Sequence, residues 1–409
     1  MKRLIGYTTA LCLLAITVGC GGVTSTGTLA YISNSTGTGF TVFNVNTDGT
    51  LTTSDISPQS TPAPPRVLQF TANGKWAYFL DAAGDHIYAY TRAGNGTLVT
   101  LIDSYPVGPA ASSLVISPNS TFVYVALPNT LNGALATFTI DASTGILSQV
   151  GSNLQAGYPM QKLVMAPNGS ALYGLSTTKQ AVLSFNLNST SGVPVQATTT
   201  SVGVNPFDIV LSANGSYLYV LDHTATTPLG GNSSIDCATT TKANSNCSPE
   251  IFGFDVSGST LSPMAGSPFN ENADLITGLF PQNPVAGATS NDSRYLFVAN
   301  QGSHNISVFK ISTTTNPGEP TEVLGSVTTV NGIQTSTASP FDCGSGCSTP
   351  SFVIVAKANN AMYLLDTPAG KIFQFAINQS TGQLRPLKPA SVGAESATSN
   401  PTWLTIQQD

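Results

Sequence analysis

Charge is scarce in this 409-residue chain: Asp, Glu, Lys and Arg together make up 8% of it, against about a quarter in ordinary soluble domains. Ser, Thr, Gly, Asn and Pro fill the polar positions, so hydroxyls and amides solvate the surface. The 14 basic and 20 acidic residues give a net charge of −6 and leave no basic stripe, so no nucleic-acid partner is expected. Histidine occurs three times, away from the cysteines, and no metal or other cofactor is expected. Sustained helical periodicity is missing, and so are Trp-Asp repeat signatures. These absences leave an all-β chain whose function must rest on a handful of ionisable groups.

One long apolar run is present. Lys2 and Arg3 precede residues 4–18, and small residues lead to Cys20. This order reads as an export signal over residues 1–19 and not as a membrane span. The string Thr17-Val18-Gly19-Cys20 resembles a bacterial lipobox, with Thr17 where Leu is usual. That resemblance implies acylation of Cys20, a short linker over 20–27 and anchoring in the cell envelope. Gly21 suits the outer membrane, again by resemblance. A soluble secreted protein is the alternative. Cys237, Cys247, Cys343 and Cys347 remain, and an even number in an exported chain favours two local disulfides, Cys237 to Cys247 and Cys343 to Cys347. A zinc site is the other possibility.

What the chain has in abundance is repetition. Tyr31, Tyr78, Tyr124, Tyr173, Tyr219, Phe297 and Tyr363 each sit in a short apolar strand such as WAYFLD or RYLFVAN. A second aromatic ends a following run, at Phe43, Tyr90, Phe138, Phe185, Phe254, Phe309 and Phe375. The first set advances in steps of 47, 46, 49, 46, 78 and 66 residues, a period near 47 with two lengthened intervals. Each unit reads as four strands joined by tight turns such as Asn73-Gly74 and Asn214-Gly215, whose residues tolerate the positive φ of two-residue hairpins. Four-stranded units at this period predict a seven-bladed β-propeller of antiparallel blades over residues 28–409. The C-terminal PTWLTI matches the innermost strand of the other units, so it should complete the first blade and close the ring.

Counting also places the insertions. Tyr219 to Phe254 takes 35 residues where the other blades take 12 or 14. Phe254 to Phe297 takes 43 and Phe309 to Tyr363 takes 54 where 34 or 35 is normal. Strands alternate direction, so all three insertions and both expected disulfides emerge on one face. That face is the expected seat of binding or chemistry.

Its ionisable residues form two groups. Arg66, Lys162 and Asp208 follow the prolines that precede innermost strands, so they should ring one end of the central channel and suit an anionic or polyhydroxylated ligand. Pairing of Arg66 or Lys162 with Asp208 is the competing reading. In the loops between second and third strands stand Asp81, Asp85, His86, Asp222, His223, Gln301, His304 and Asp366. Asp81, Asp222 and Asp366 each lie three residues after the blade's Tyr, where other blades place Asn34 and Asn300, which points to turn formers. Asp222 beside His223 breaks that sameness.

With PRVLQFTANGKWAYFLD, PFDIVLSANGSYLYVLD and GATSNDSRYLFVANQGSHNISVFKI in view, the chain resembles the lactonase-type seven-bladed propellers, the group of bacterial 6-phosphogluconolactonase and the carboxymuconate cyclases. The resemblance runs from residue 28 to 406. It implies a channel mouth in which His, Glu and Arg bind a carboxylate or phosphate and assist ring opening. Pro65-Arg66 matches a Pro-Arg pair of that family, while Val67 follows it and no His lies near an innermost-strand start. The favoured expectation is a monomeric, non-catalytic binding scaffold for an envelope protein or glycan. The alternative is a lactone hydrolase in which Arg66 and Lys162 hold the anion and Asp208 or the Asp222/His223 pair activates water.

Overall fold

The computed structural model describes residues 27–408 apart from 35–36, 109, 131, 224–248, 279, 331–332 and 395–400. The expected leader, Cys20, Cys237 and Cys247 lie outside the described residues. Among the described residues every regular element is a strand. Apolar and β-branched runs supply the strands, and the turns between them carry the required positive φ, 65° at Gly74 and 57° at Ser120.

Seven antiparallel sheets result, each with a four-strand path. Blade 2 shows the pattern from the inside outward: Pro65–Phe70, Trp76–Asp81, His86–Arg92 and Leu98–Pro106. The innermost strands of blades 3 to 7 are Ser113–Ile116, Lys162–Met165, Pro206–Leu211, Pro284–Thr289 and Pro350–Val355. Blade 1 takes three strands from the N-terminal side and its innermost strand, Pro401–Gln408, from the C-terminal side. Thr28 stands opposite Gln408 and Ser33 opposite Trp403. The closure expected from PTWLTI is therefore present, and it leaves no open gap between the ends of the chain.

The core is divided among the blade interfaces. Seven apolar clusters occur, one for each pair of neighbours around the ring, including the pair of blades 7 and 1. The first repeated aromatic is at most 1% exposed in every blade. Burying such a ring contributes roughly 1.5–3 kcal/mol. Its hydroxyl adds a directional tie, because in six blades it donates to a turn carbonyl of the next blade. Tyr31 reaches Gly96 at 2.6 Å, Tyr78 reaches Gly145 at 2.9 Å, Tyr124 reaches Gly192 at 2.9 Å, Tyr219 reaches Gly318 at 2.6 Å and Tyr363 returns to Gly49 of blade 1 at 2.7 Å. Tyr173 makes the same bond to Gly258. In blade 6 the repeat position holds Phe297, which has no hydroxyl, and Tyr295 two residues earlier reaches Gln379 of blade 7 at 3.3 Å. Burial raises the phenol pKa, to about 12 at Tyr124 and Tyr173, so these donors stay protonated.

Two of the three expected insertions follow the count, and the one between Tyr219 and Phe254 falls largely outside the described residues. The segment 264–283 precedes blade 6, and the long interval after Phe309 carries an extra hairpin, Val327–Val330 with Ile333–Ser336. Cys343 and Cys347 form the expected disulfide.

Candidate functional site

All seven blades contribute to the mouth of the central channel, a cavity of about 770 Å³. Arg66, Lys162 and Asp208 all line it, as their places after the prolines imply, and the three are electrostatically unequal. Asp208 is 3% exposed. Its carboxylate pairs with Lys162 Nζ and accepts the backbone N–H groups of Ile209 and Gly287, each at 2.9 Å. The last bond needs a close approach between blades 5 and 6. A Cβ on Gly287 would lie 2.6 Å from Val210 Cγ2, so glycine is the residue that fits. Blades 4, 5 and 6 are thus tied together through one acid.

Arg66 differs. It is half-buried, and its Nη1 donates to the Ala111 carbonyl at 3.3 Å. Among the described residues no carboxylate lies within ion-pair distance of it. Burial lowers its pKa from the ordinary value, yet a guanidinium keeps its charge at neutral pH. Four of its five N–H donors are left for a ligand in the cavity. Around it the mouth presents neutral hydrogen-bonding groups, including Gln161, Thr177, Asn205 and Ser351, and three aromatics. Phe207 is 47% exposed, and Trp403 packs against Phe352 with ring centroids 4.8 Å apart.

Asp222 and His223 stand beside this cavity without entering it. Asp222 is fully buried, and its Oδ2 accepts the N–H groups of Val204 at 2.8 Å and Asn205 at 2.9 Å. His223 stacks on Phe207, centroids 4.4 Å apart. Burial lowers its pKa, a hydrogen bond with the Pro284 backbone partly offsets this, and Nε2 is out of contact with solvent.

The other loop candidates are dispersed. Asp366 accepts the N–H groups of Ser348 at 2.5 Å, Thr349 at 2.9 Å and Ala369 at 3.1 Å, and Asp81 accepts those of Asp85 at 2.8 Å and His86 at 3.1 Å. Asp81 holds its own loop, as the shared repeat slot implies, whereas Asp366 also ties its loop to the segment that enters the innermost strand Pro350–Val355. Gln301 bridges to the Pro350 carbonyl at 3.4 Å, and His304, with φ of 56°, lies in a separate peripheral cavity.

Sequence reasoning missed two features. The mouth aromatics fall on innermost strands, where attention to charge passed over Phe207, Phe352 and Trp403. The other is a pair of buried acids at blade 6. Glu271, 1% exposed, bonds Ser307 and, at 3.2 Å, the side-chain amide of Asn300. Glu322, 6% exposed, accepts the Asn272 N–H and the Ser339 hydroxyl, both at 2.5 Å. Burial pushes Glu271 up to about 8, with repulsion from Glu322 adding to it, and pushes Glu322 up to about 7. Both acids fasten inserted segments to the blade. Glu271 in an irregular segment and Glu322 at the end of the outer strand Pro320–Glu322 carry no periodic signal that would have marked them.

No family model and no curated protein matches the chain in sequence. Solved structures do match in shape. The periplasmic gluconolactonase of Pseudomonas aeruginosa superposes with a TM-score of 0.68 at 15% identity, covering 93% of this chain and 98% of that one. A Bacteroides uniformis protein provisionally assigned as a 6-phosphogluconolactonase gives 0.68 at 15% identity, covering 93% and 99%. A chain of Kuenenia stuttgartiensis hydrazine synthase gives 0.60 at 16% identity over 85% of this chain and 92% of that one, so the same ring also occurs in a structure named for a different activity. At these identities the likeness establishes the fold: the chain is a seven-bladed β-propeller similar over nearly all its described length to lactonase-type propellers.

Proposed function

We propose that the chain is an exported, envelope-anchored propeller whose channel mouth binds a small carboxylate- or phosphate-bearing ligand without turning it over. One observation carries this reading: Arg66 opens onto the cavity with, among the described residues, no acid within ion-pair distance, while Asp208, the acid that lines the same cavity, is committed to Lys162 and two backbone amides. A bidentate guanidinium–anion contact is among the stronger polar interactions available to a protein. Catalysis needs in addition a base within reach of water in the cavity. Asp208 is spent as an interblade tie, and the free nitrogen of His223 is sealed from solvent. Calorimetric titration with 6-phosphogluconate, gluconate and glucose tests the reading. The two anions should bind and glucose should not, and Arg66→Ala should weaken anion binding at least tenfold; equal binding of all three, or an unaffected variant, refutes it.

A second reading is a lactone hydrolase, favoured by the names of the P. aeruginosa and B. uniformis neighbours. It assigns Arg66 and Lys162 to the anion and requires Asp222 and His223 to gain access to the mouth.

A further inference from the structure

In blades 1, 2, 5, 6 and 7 the pairing of the innermost strand slips by one residue directly after its opening proline. The residue left over bulges out of the ladder: Thr402, Arg66, Phe207, Val285 and Ser351 in turn. A bulge re-aims the side chain it carries, and all five of these line the mouth cavity. Blade 2 fills the slot with a guanidinium and blade 5 fills it with an aromatic ring. One face of Phe207 lies on His223, with planes 19° apart, yet the residue is still 47% exposed, so its other face is left to the cavity. Trp403 follows the bulged Thr402, which holds in blade 1 the slot that Arg66 holds in blade 2. Indole and guanidinium therefore stand on neighbouring strands at the same end of the channel.

We infer that the ligand of the mouth carries a planar aromatic ring next to its anionic group, with the anion on Arg66, the ring on Trp403, and Phe207 as the far apolar wall. This rests on the reading of Arg66 as an anion site and names the class of anion. The indole is set in place before any ligand arrives: Nε1 donates to Thr405 Oγ1 at 2.8 Å, and that hydroxyl donates to the Leu68 carbonyl of blade 2 at 2.6 Å. Its one donor is thus spent inside the wall, and what it offers a ligand is a ring face. Phe352, tilted by 45° against it, steadies it from blade 7. Aromatic rings gain from such contacts beyond the area they bury, and preorganisation lowers the ordering cost of binding. A polyol acid fits the same wall less well, because its hydroxyls need acceptors. Asp208, the one acid lining the cavity, is committed, and Gln161 Oε1 already accepts the Thr177 N–H at 2.9 Å.

Calorimetric titration of the intact protein with 2-naphthoate, gluconate and the neutral 2-naphthalenemethanol tests the inference. 2-Naphthoate is expected to bind about tenfold more tightly than gluconate, and about tenfold more tightly than its neutral alcohol. Trp403→Ala and Phe207→Ala should each weaken 2-naphthoate about fivefold and leave gluconate within about twofold, while Trp403→Phe, which keeps a ring, should restore most of the loss. Phe207 belongs to none of the apolar clusters between blades, so its truncation leaves the core intact and keeps the test decisive if Trp403→Ala folds poorly. Arg66→Ala should weaken both acids about tenfold. Gluconate binding as tightly as 2-naphthoate, or 2-naphthoate binding unchanged in Phe207→Ala and Trp403→Phe alike, would overturn the aromatic ligand while anion binding through Arg66 stood. Equal binding of 2-naphthoate and its alcohol, or no binding of either acid, would overturn the anion site itself and the inference with it.

Discussion

Blades 2 to 4 and blades 5 to 7 are made from the same strands and differ in where they place their acids. The turns are alike: Asn73, Asn119 and Asn168 of the first arc and Asn214 of the second each accept a backbone N–H two residues on, at 3.1, 3.2, 3.0 and 3.0 Å. In the second arc acids go inside. Asp208, Asp222, Glu250, Glu271, Glu322 and Asp366 are all buried there, whereas Asp81 is the one buried acid of blades 2 to 4 among the described residues. Buried acids are costly unless bonded, and those whose bonds are described here hold a loop, an insertion or a neighbouring blade. The regular arc closes the ring, while the decorated arc shapes a surface on it.

Removing a shared part should hurt most and should hurt both arcs alike. Tyr78→Ala in the regular arc and Tyr219→Ala in the decorated arc each delete a buried ring and its interblade bond, so each should cost about 3–5 kcal/mol in denaturant unfolding. The Phe variants lose the hydroxyl alone and should cost about 1 kcal/mol. A much smaller loss in either Ala variant would show that the blade interfaces do not share the load.

Loss of the interblade acid should rank next and touch only the decorated arc. Asp208→Asn weakens the acceptor for Lys162, and we expect about 1–3 kcal/mol, with exchange protection falling in the innermost strands of blades 5 and 6 and staying unchanged in blade 2.

The pH dependence should divide the arcs further. Glu271 and Glu322 titrate near 8 and near 7 when closed in, above the ordinary carboxylate range. A released segment ionises at the ordinary value while the closed one keeps its protons, so closure is fully favoured below that range, weakens as pH rises, and levels off above about 8. Amide exchange in 264–283 and 323–343 should therefore lose protection, beyond the intrinsic rate change, between pH 5 and 8, and Glu271→Gln with Glu322→Gln should abolish most of the dependence. The same residues exchanging identically at both pH values would contradict it.

The most local effect belongs to the Cys343–Cys347 disulfide. It closes a five-residue loop, for which chain entropy gives about 2 kcal/mol. Reduction should loosen that loop and leave the ring folded; global unfolding on reduction would show that the insertions support the propeller.

Much of this was legible in the sequence because repeats multiply a weak signal. The seven aromatics, the Asn-Gly turns and the PTWLTI strand each recur or complete a pattern, so the ring, its closure and the decorated face could be read by counting. Within the site, ring order decided what composition left open. Lys162 and Asp208 stand on neighbouring blades and meet, whereas Arg66 stands on blade 2, away from both. Side-chain interactions that reach into inserted segments have no period, which is why Glu271, Glu322 and the contacts they make were not visible.

The central claim is binding without turnover at the mouth, and the most direct test is the hydrolysis rate of 6-phosphogluconolactone and simple aldonolactones in the presence of the purified protein. The account predicts the spontaneous rate, with the corresponding acids bound through Arg66. A rate well above it that falls in Arg66→Ala and His223→Ala would contradict the account and make the mouth an active site.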